Sequence, residues 1–501
     1  MDLPLLTTWK EVEERLLPRL AALREPRFHA CRPVPVRLQG LSAWTRSCLE
    51  SPVHERAAGN PDALLNTLRY LFFHMRCGVL VSLRGNKPVV VAPFANEAYE
   101  NSWSGRVEFE GSHGPAAYQA AKSSATRRPA EDWLPLHRWW MNGGVICNVM
   151  PEGVWGDAHL RELKEVLGAV CAERGAPDCD FFFNKRDYPQ LRRDGSEPYS
   201  RFTAQTALLR EAYSAYTPVL SFYGGSEFAD CLVPLTEDWK LANSMGPECG
   251  GPWEAAEARA VWRGTATGSG TTADTNTRLL MTKHCAGRPE LYDVVLTGLN
   301  QRDKVVATSA EGGGSMVVGF LQGGAIPRGV FLTLHQQASM FRFVLYADGH
   351  CAANRYGALM ACERTILRVR SRRETDGGVL WLFPDLVAAR VEPSGQASIP
   401  AGADHFDVSA DLANLDATMA FLISHDHVAR TVAVCARSKA PSRSLVLDAW
   451  LAVLQGVAAT QALEEGELAE GAAWFSPFDS RYSRLGQCGG GESSFFSGGD
   501  V

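Results

Sequence analysis

The chain has 501 residues, enough for two domains or three rather than one small core. Hydrophobic residues make up 46% and charged residues 21%, the proportions of an ordinary globular protein, and the formal net charge is −6. That balance supplies no basic field over the whole protein, which argues against wholesale nucleic-acid binding and leaves room only for a local basic groove. The 13 cysteines show neither CxxC pairs nor zinc-like spacing, a pattern that fits free thiols in a reducing compartment.

Taken in chain order, "MDLPLLTTWKEVEERLLPRL" lacks the basic start and long apolar run of a secretory signal. Trp9 to Leu17 predicts a short amphipathic helix ended by Pro18. No run of about 18 apolar residues occurs, so no membrane span is expected and a cytoplasmic location is. From Leu64 to Pro93 a helical spacing gives way to two apolar runs around Arg84-Gly85-Asn86, the pattern of a hairpin. Residues 159–173 are an amphipathic helix stopped by Gly175 and Pro177, and a buried strand follows at Asp180–Asn184. Residues 215–250 are Gly- and Pro-rich and fit a crossover between domains.

The second half alternates strands and helices again. Ala260–Trp262 is a short strand, followed by a Gly/Thr loop and a helix near 274–284, and "YDVVLTG" at 292–298 is the next strand. "FRFVLYADG", "NRYGALMAC" and "TILRVR" have the strand–helix–strand spacing of a parallel sheet, whose ligands sit at the carboxyl ends of its strands. Residues 459–472 have a helical pattern, and the low-complexity tail after Gly486 is expected to be disordered.

Several stretches could carry chemistry. The loop "RGTATGSGTT" after the strand ending at Arg263 exposes backbone N–H groups and hydroxyls before a helix start, as an anion site would. It has no Walker lysine, and a plain surface loop is the other reading. Arg355 opens a helix, where the helix dipole gives a cation nothing. A bound diphosphate would explain it, and so would an ion pair with Asp348. "DCD" at 178–180 could hold a divalent ion or merely close a turn, and "HDH" at 425–427 has side chains that diverge on a helix. Trp139-Trp140 could stack on a sugar or fill a core. In "FFFNKRDYPQL", three aromatic residues run into Asn184, Lys185, Arg186 and Asp187. The two cations keep Asp187 ionised, so it can act as a general base or sit in a surface ion pair.

"FFFNKRDYPQL", "PLTEDW" at 234–239, "VWRGTATG", "YADGHCAANRYGALMACERTIL" and "DHFDVSADLANL" occur in one order, and together they resemble the glycosyltransferases of family 90. That family includes capsule-associated transferases and Rumi-type protein O-glucosyltransferases. The likeness is greatest to versions encoded by large DNA viruses, and it runs from about residue 64 to about 437. It implies an α/β fold of GT-B type, two Rossmann-like lobes facing each other across a cleft. The lobes would be 1–225, carrying the base, and 226–455, holding the nucleotide-sugar, with a helix and Gly/Ser-rich tail at 456–501. It further implies inverting transfer from a UDP-sugar, with glucose or xylose foremost, to a hydroxyl of a glycan or glycoprotein.

On that resemblance Asp187 is the base, with Arg186 as its neighbouring brace. Arg263, Gly264, Thr265, Gly268, Asp348, Gly349 and Arg355 bind the nucleotide-sugar, and no metal or other cofactor is expected. Two other readings stand beside it. One is a catalytically inactive glycan-binding or structural protein of the same fold. The other is a kinase or NTPase built on the 264–272 loop, against which the absent lysine counts.

Overall fold

A computed structural model of the chain describes residues 3–23, 43–50, 63–75, 77–96, 157–184, 189–193, 216–225, 228–244, 250–268, 273–274, 276–299, 329–349, 351–370 and 386–461. It also describes the backbone of 106–109, 139–142, 145–148 and 304–306. The first helical stretch is α1 (Trp9–Glu11), a π-helical segment (Val12–Leu16) and α2 (Leu17–Leu23). Thr8 and Glu11 form a capping box that starts it. Pro18 lies inside α2 and does not end the helix as expected. The wider π turn just before it re-registers the hydrogen bonds, so the missing N–H and the ring are tolerated.

Next come α3 (Ala43–Leu49), α4 (Ala63–Tyr70), β1 (Cys77–Arg84) and β2 (Lys87–Ala95). The hairpin falls where the sequence puts it. Gly85 and Asn86 both have positive φ, 56° and 62°, as a two-residue turn between twisted strands requires. Short strands β3 (Arg106–Phe109), β4 (Trp139–Asn142) and β5 (Val145–Asn148) precede α5 (Asp157–Arg174), β6 (Cys179–Phe183), β7 (Val219–Ser221), β8 (Cys231–Leu232) and α6 (Thr236–Ser244). The first sheet has the order β2-β1-β6-β7-β8, antiparallel through β6 and parallel beyond it.

Phe181, Phe182 and Phe183 are all buried because β6 is covered on both faces. Phe182 joins Leu80, Phe94 and the N-terminal helices, while Phe181 and Phe183 face α5 and the last described helix.

The second half is built from β9 (Glu257–Ala266), α7 (Thr277–Ala286), β10 (Tyr292–Leu299), β11 (Lys304–Val306), α8 (Leu334–Met340), β12 (Phe341–Ala347), α9 (Tyr356–Ala361), β13 (Thr365–Val369), β14 (Ala388–Val391), β15 (Ala397–Ser398), β16 (His405–Val408), α10 (Leu415–Ser424) and α11 (Asp426–Ser438). Its seven-stranded sheet has the order β10-β9-β12-β13-β16-β14-β15, parallel except for β15. One face packs Trp262, Phe343, Leu345 and Phe406 against α7, α10 and α11. The opposite face contributes Val261, Phe341, Val344 and Tyr346 to the same core that holds Phe181, Phe183, Phe222 and Tyr223 of the first sheet. The molecule is therefore a mixed α/β protein with two sheets that share one core. A third sheet, β11-β3-β5-β4, joins a strand of the later half to three of the earlier half.

The expected divisions of the chain meet two features. β8, beyond residue 225, belongs to the first sheet. The helix around 455 is α12 (Arg443–Gln461), which starts sixteen residues earlier than the sequence pattern at 459–472 suggests. It returns to the first sheet, with Trp450 6.4 Å from Phe183 and Arg174 bound to Asp448 at 2.6 Å. Its start lies beside the end of α6, since Arg443 binds Asn243 and covers Trp239 at 4.8 Å. Among the described helices α12 alone is long and apolar enough to cross a membrane. Here Val446, Leu447, Trp450, Val453, Leu454 and Val457 are buried in protein.

Candidate anion site at the sheet switch point

From β9 the chain moves outward to β10, and from β12 it moves the opposite way through β13, so the winding reverses between β9 and β12. The carboxyl ends of two such strands leave a crevice in which open parallel sheets bind ligands. Thr265 at the end of β9 is exposed, and Gly268 has a φ of 110° that favours glycine. On β12 the strand end is Asp348-Gly349. A Cβ at Gly349 would lie 2.3 Å from Thr267 Oγ1, so only glycine lets the two loops approach this closely. Gly264 lies under the indole of Trp262. Gly264, Thr265, Gly268, Asp348 and Gly349 are thus gathered at one place.

The arginines divide differently from the sequence expectation. Arg355, the residue before α9, donates from Nη1 to the backbone oxygen of Arg263 at 2.6 Å. The guanidinium of Arg263 turns to the inner face and toward β10. It pairs with Asp293 at 2.8 Å and donates to Val330 O at 3.0 Å. The Asp348–Arg355 ion pair weighed as an alternative is not formed.

A third arginine, which sequence reasoning missed, closes the site. Arg278 in the first turn of α7 donates to Asp348 O at 3.0 Å, Thr265 O at 2.9 Å and Ala347 O at 3.0 Å. It also lies over Trp262 at 5.6 Å. Asn276 caps α7 by accepting from the N–H groups of Arg278 and Leu279, which fixes the helix start beside the loop. The only sequence trace of Arg278 is its place two residues after that cap, where it resembles an ordinary surface charge.

Burial, and next the charge of Arg355, bring the pKa of Arg278 down to about 9. Burial lowers that of Arg355 as well. Among the described residues neither guanidinium has a carboxylate at ion-pair distance. Burial also pushes the carboxyl of Asp348 up to about 6, against the pull of Arg368, Tyr346 and Arg278, and its Oδ1 makes no hydrogen bond. Arg278 and Arg355 therefore repel each other, and the buried Asp348 carboxyl offsets part of that charge at Arg278 without an ion-pair contact.

Other motifs converge here. Glu237 of "PLTEDW" accepts from Asn354 at 2.8 Å, next to Arg355. Tyr346 and Tyr356 meet edge to face at 4.9 Å, and the Tyr346 hydroxyl donates to Ala353 O at 3.1 Å. Tyr223, just past β7 of the first sheet, lies in the same buried cluster as Tyr346 of β12. His405 and Asp407 of "DHFDV" are buried beside Asp404, and the more exposed Arg370 and Lys439 pair with Asp407 and Asp404. Burial pulls the His405 pKa down, but the Asp404 carboxylate, which accepts from its Nδ1 at 2.6 Å, and the Asp407 carboxylate 3.4 Å from its Nε2 outweigh it and the net shift is upward.

Lys185, Arg186, Asp187 and Tyr188 lie outside the described residues, but both flanks are defined. Asn184 Nδ2 donates to Ser221 Oγ at 3.0 Å, and Ser221 Oγ donates to Asp230 at 2.5 Å. The same carboxylate accepts from Gln190 N at 2.8 Å and Leu191 N at 2.7 Å. Of the remaining candidates, Asp178 accepts from Gly85 N at 2.7 Å and Asp180 pairs with Arg84 at 2.7 Å, so "DCD" locks the β1–β2 turn. His425 is the junction between α10 and α11, and Asp426 is bound by Trp253 and Arg342. Trp139 and Trp140 lie on β4, where only the backbone is described.

No protein-family model matches the chain. It is similar to three viral proteins. Uncharacterized protein 035R of Invertebrate iridescent virus 3 is 27% identical over 349 residues, 64% of this chain and 30% of its own length. Uncharacterized protein 179R of Invertebrate iridescent virus 6 is 25% identical over 390 residues, 64% of this chain and 32% of its own length. Uncharacterized protein 027R of Frog virus 3 is 30% identical over 263 residues, 48% of this chain and 27% of its own length. The chain thus spans less than a third of each of these relatives.

Proposed function

We propose that the chain is an inverting glycosyltransferase of the GT-B type that moves a sugar, glucose or xylose foremost, from a UDP-sugar to a hydroxyl of a glycan or glycoprotein. The observation that carries this reading is the pair of neighbouring guanidiniums, Arg278 buried and Arg355 half-buried, with no carboxylate at ion-pair distance among the described residues at the switch point of a parallel sheet. A nucleoside diphosphate is the anion such a site accepts. Arg355 faces the diphosphate, and Arg278 fixes the two strand ends around it. Arg263 supports Arg355 through its backbone oxygen while its own side chain is held by Asp293.

In the reaction the acceptor hydroxyl attacks the anomeric carbon opposite the departing UDP, and Asp187 takes the hydroxyl proton. The carbon–oxygen bond to the diphosphate breaks as the new glycosidic bond forms. Negative charge grows on the leaving oxygen, which the guanidiniums stabilise. That Tyr223 beyond β7 and Tyr346 near the end of β12 share one buried cluster supports sugar and acceptor meeting between the two sheets. The similarity to viral proteins and the nine described cysteines, all free thiols, support action in the cytoplasm of an infected cell.

Calorimetric titration with UDP and nucleotide release from a panel of UDP- and GDP-sugars test the reading. Asp187→Asn is expected to bind UDP within about twofold of wild type and to lose turnover by about a hundredfold or more. Arg355→Ala is expected to weaken UDP by about tenfold or more. Full turnover by Asp187→Asn, or tighter binding of ATP than of UDP, would sink it.

A further inference from the structure

We infer that Glu237 and Asp238, consecutive residues in the first turn of α6, are positioning residues that hold Arg355 at the anion site. α6 follows β8 of the first sheet, whereas Arg355 opens α9 of the second half. Leu235 and Trp239 share a buried cluster with Tyr356, Leu359 and Met360 of α9, and this packing sets the start of one helix against the start of the other. Glu237 Oε1 accepts from Asn354 Nδ2 at 2.8 Å, one residue before Arg355. Asp238 reaches the chain two residues after it. A Cβ at Gly357 would lie 2.3 Å from Asp238 Oδ1 and 2.8 Å from Cγ of Pro441, so only glycine admits the carboxylate there. One helix of the first half thus meets the chain on both sides of the cation.

Arg355 depends on such support. Among the described residues its side chain makes one hydrogen bond, to Arg263 O at 2.6 Å. A long side chain tied at one nitrogen keeps much of its rotamer freedom, so its aim is set largely by its backbone. That backbone starts α9, with Arg355 O accepting from Leu359 N at 2.9 Å. Asp238 is 1% exposed, so its place against Gly357 is fixed by protein and not by water. The charges of Glu237 and Asp238 would by themselves oppose an anion beside Arg355. A positioning role and a purely coulombic one therefore predict opposite signs when the carboxylate of Glu237 is removed. That Arg355 binds a diphosphate rests on the function proposed above, whereas the grip of α6 on the start of α9 does not.

Calorimetric titration with UDP and hydrogen exchange at Leu359, both on the full chain, test this. Glu237→Ala should weaken UDP about threefold or more. Glu237→Gln still accepts from Asn354 and should return the affinity to within about twofold of wild type. Asp238→Ala should weaken UDP about tenfold and let the Leu359 amide exchange about tenfold faster or more, while the amides of β9 keep their protection. If Asp238→Ala does not fold, Asp238→Asn keeps the volume and one acceptor oxygen and should show both losses in smaller measure. Added to Arg355→Ala, Glu237→Ala should cost nothing further, because it acts through that arginine. Tighter UDP binding by Glu237→Ala, an equal loss in Glu237→Ala and Glu237→Gln, or an additive loss in the double variant overturns the positioning role. Unchanged Leu359 protection in a folded Asp238→Ala or Asp238→Asn overturns the grip on α9. A wild type that does not bind UDP defeats the function reading, and the exchange result still decides the grip.

Discussion

At the scale of single residues, the site depends on groups whose burial sets their charge. Asp348 is the clearest case. Its folded carboxyl is held at about 6 by burial, against 3.8 for the free group. It binds a proton more tightly folded than unfolded, so its contribution to stability is present below about 3.8 and is lost as pH rises through about 6. Asp348→Asn removes that dependence. The melting temperature of the variant minus that of wild type should therefore be larger at about pH 7.5 than at about pH 4.5. A difference that does not change with pH would show that the carboxyl titrates normally. Residue-level legibility was uneven for a physical reason. Gly268, Gly349 and Arg355 stand out as a loop glycine, a strand-end glycine and a misplaced cation. Arg278 and Asp230 do not, because their meaning lies in partners 69 and 40 residues away in the chain.

At the scale of elements, local chemistry fixed what local chemistry can fix. The Gly85-Asn86 turn, α5 and β6 are all written in short-range pattern. The start of α12 was not, because a helix buried on much of its surface lacks the one-sided period that betrays an amphipathic one. The return of α12 to the first sheet is likewise a tertiary fact. Trp450 is its anchor, 1% exposed and packed toward Phe183. Trp450→Ala should cost about 3–5 kcal/mol in denaturant unfolding. A loss below about 1 kcal/mol would mean that α12 does not hold the first sheet.

At the scale of the whole molecule, the shared core is the decisive property. Phe181 and Phe183 of one sheet and Val344 and Tyr346 of the other belong to a single buried cluster. Two lobes with separate cores would melt independently, whereas these should unfold together. Calorimetry is expected to give one transition, with equal calorimetric and van't Hoff enthalpies. Two resolved peaks would refute that coupling. The sequence pointed to two α/β halves, but which strands face which core depends on contacts no spacing reports. The meeting of α6 and α12 has a further mechanical meaning. The chain enters the second sheet after Asn243 and leaves it before Arg443, and those two residues touch. The later half is thus an insert whose two ends lie side by side, and it is also held to the earlier half by the β3–β11 pairing and the shared core. Cutting the chain at either crossing would therefore leave the two halves joined by the other crossing, by the β3–β11 pairing and by the shared core.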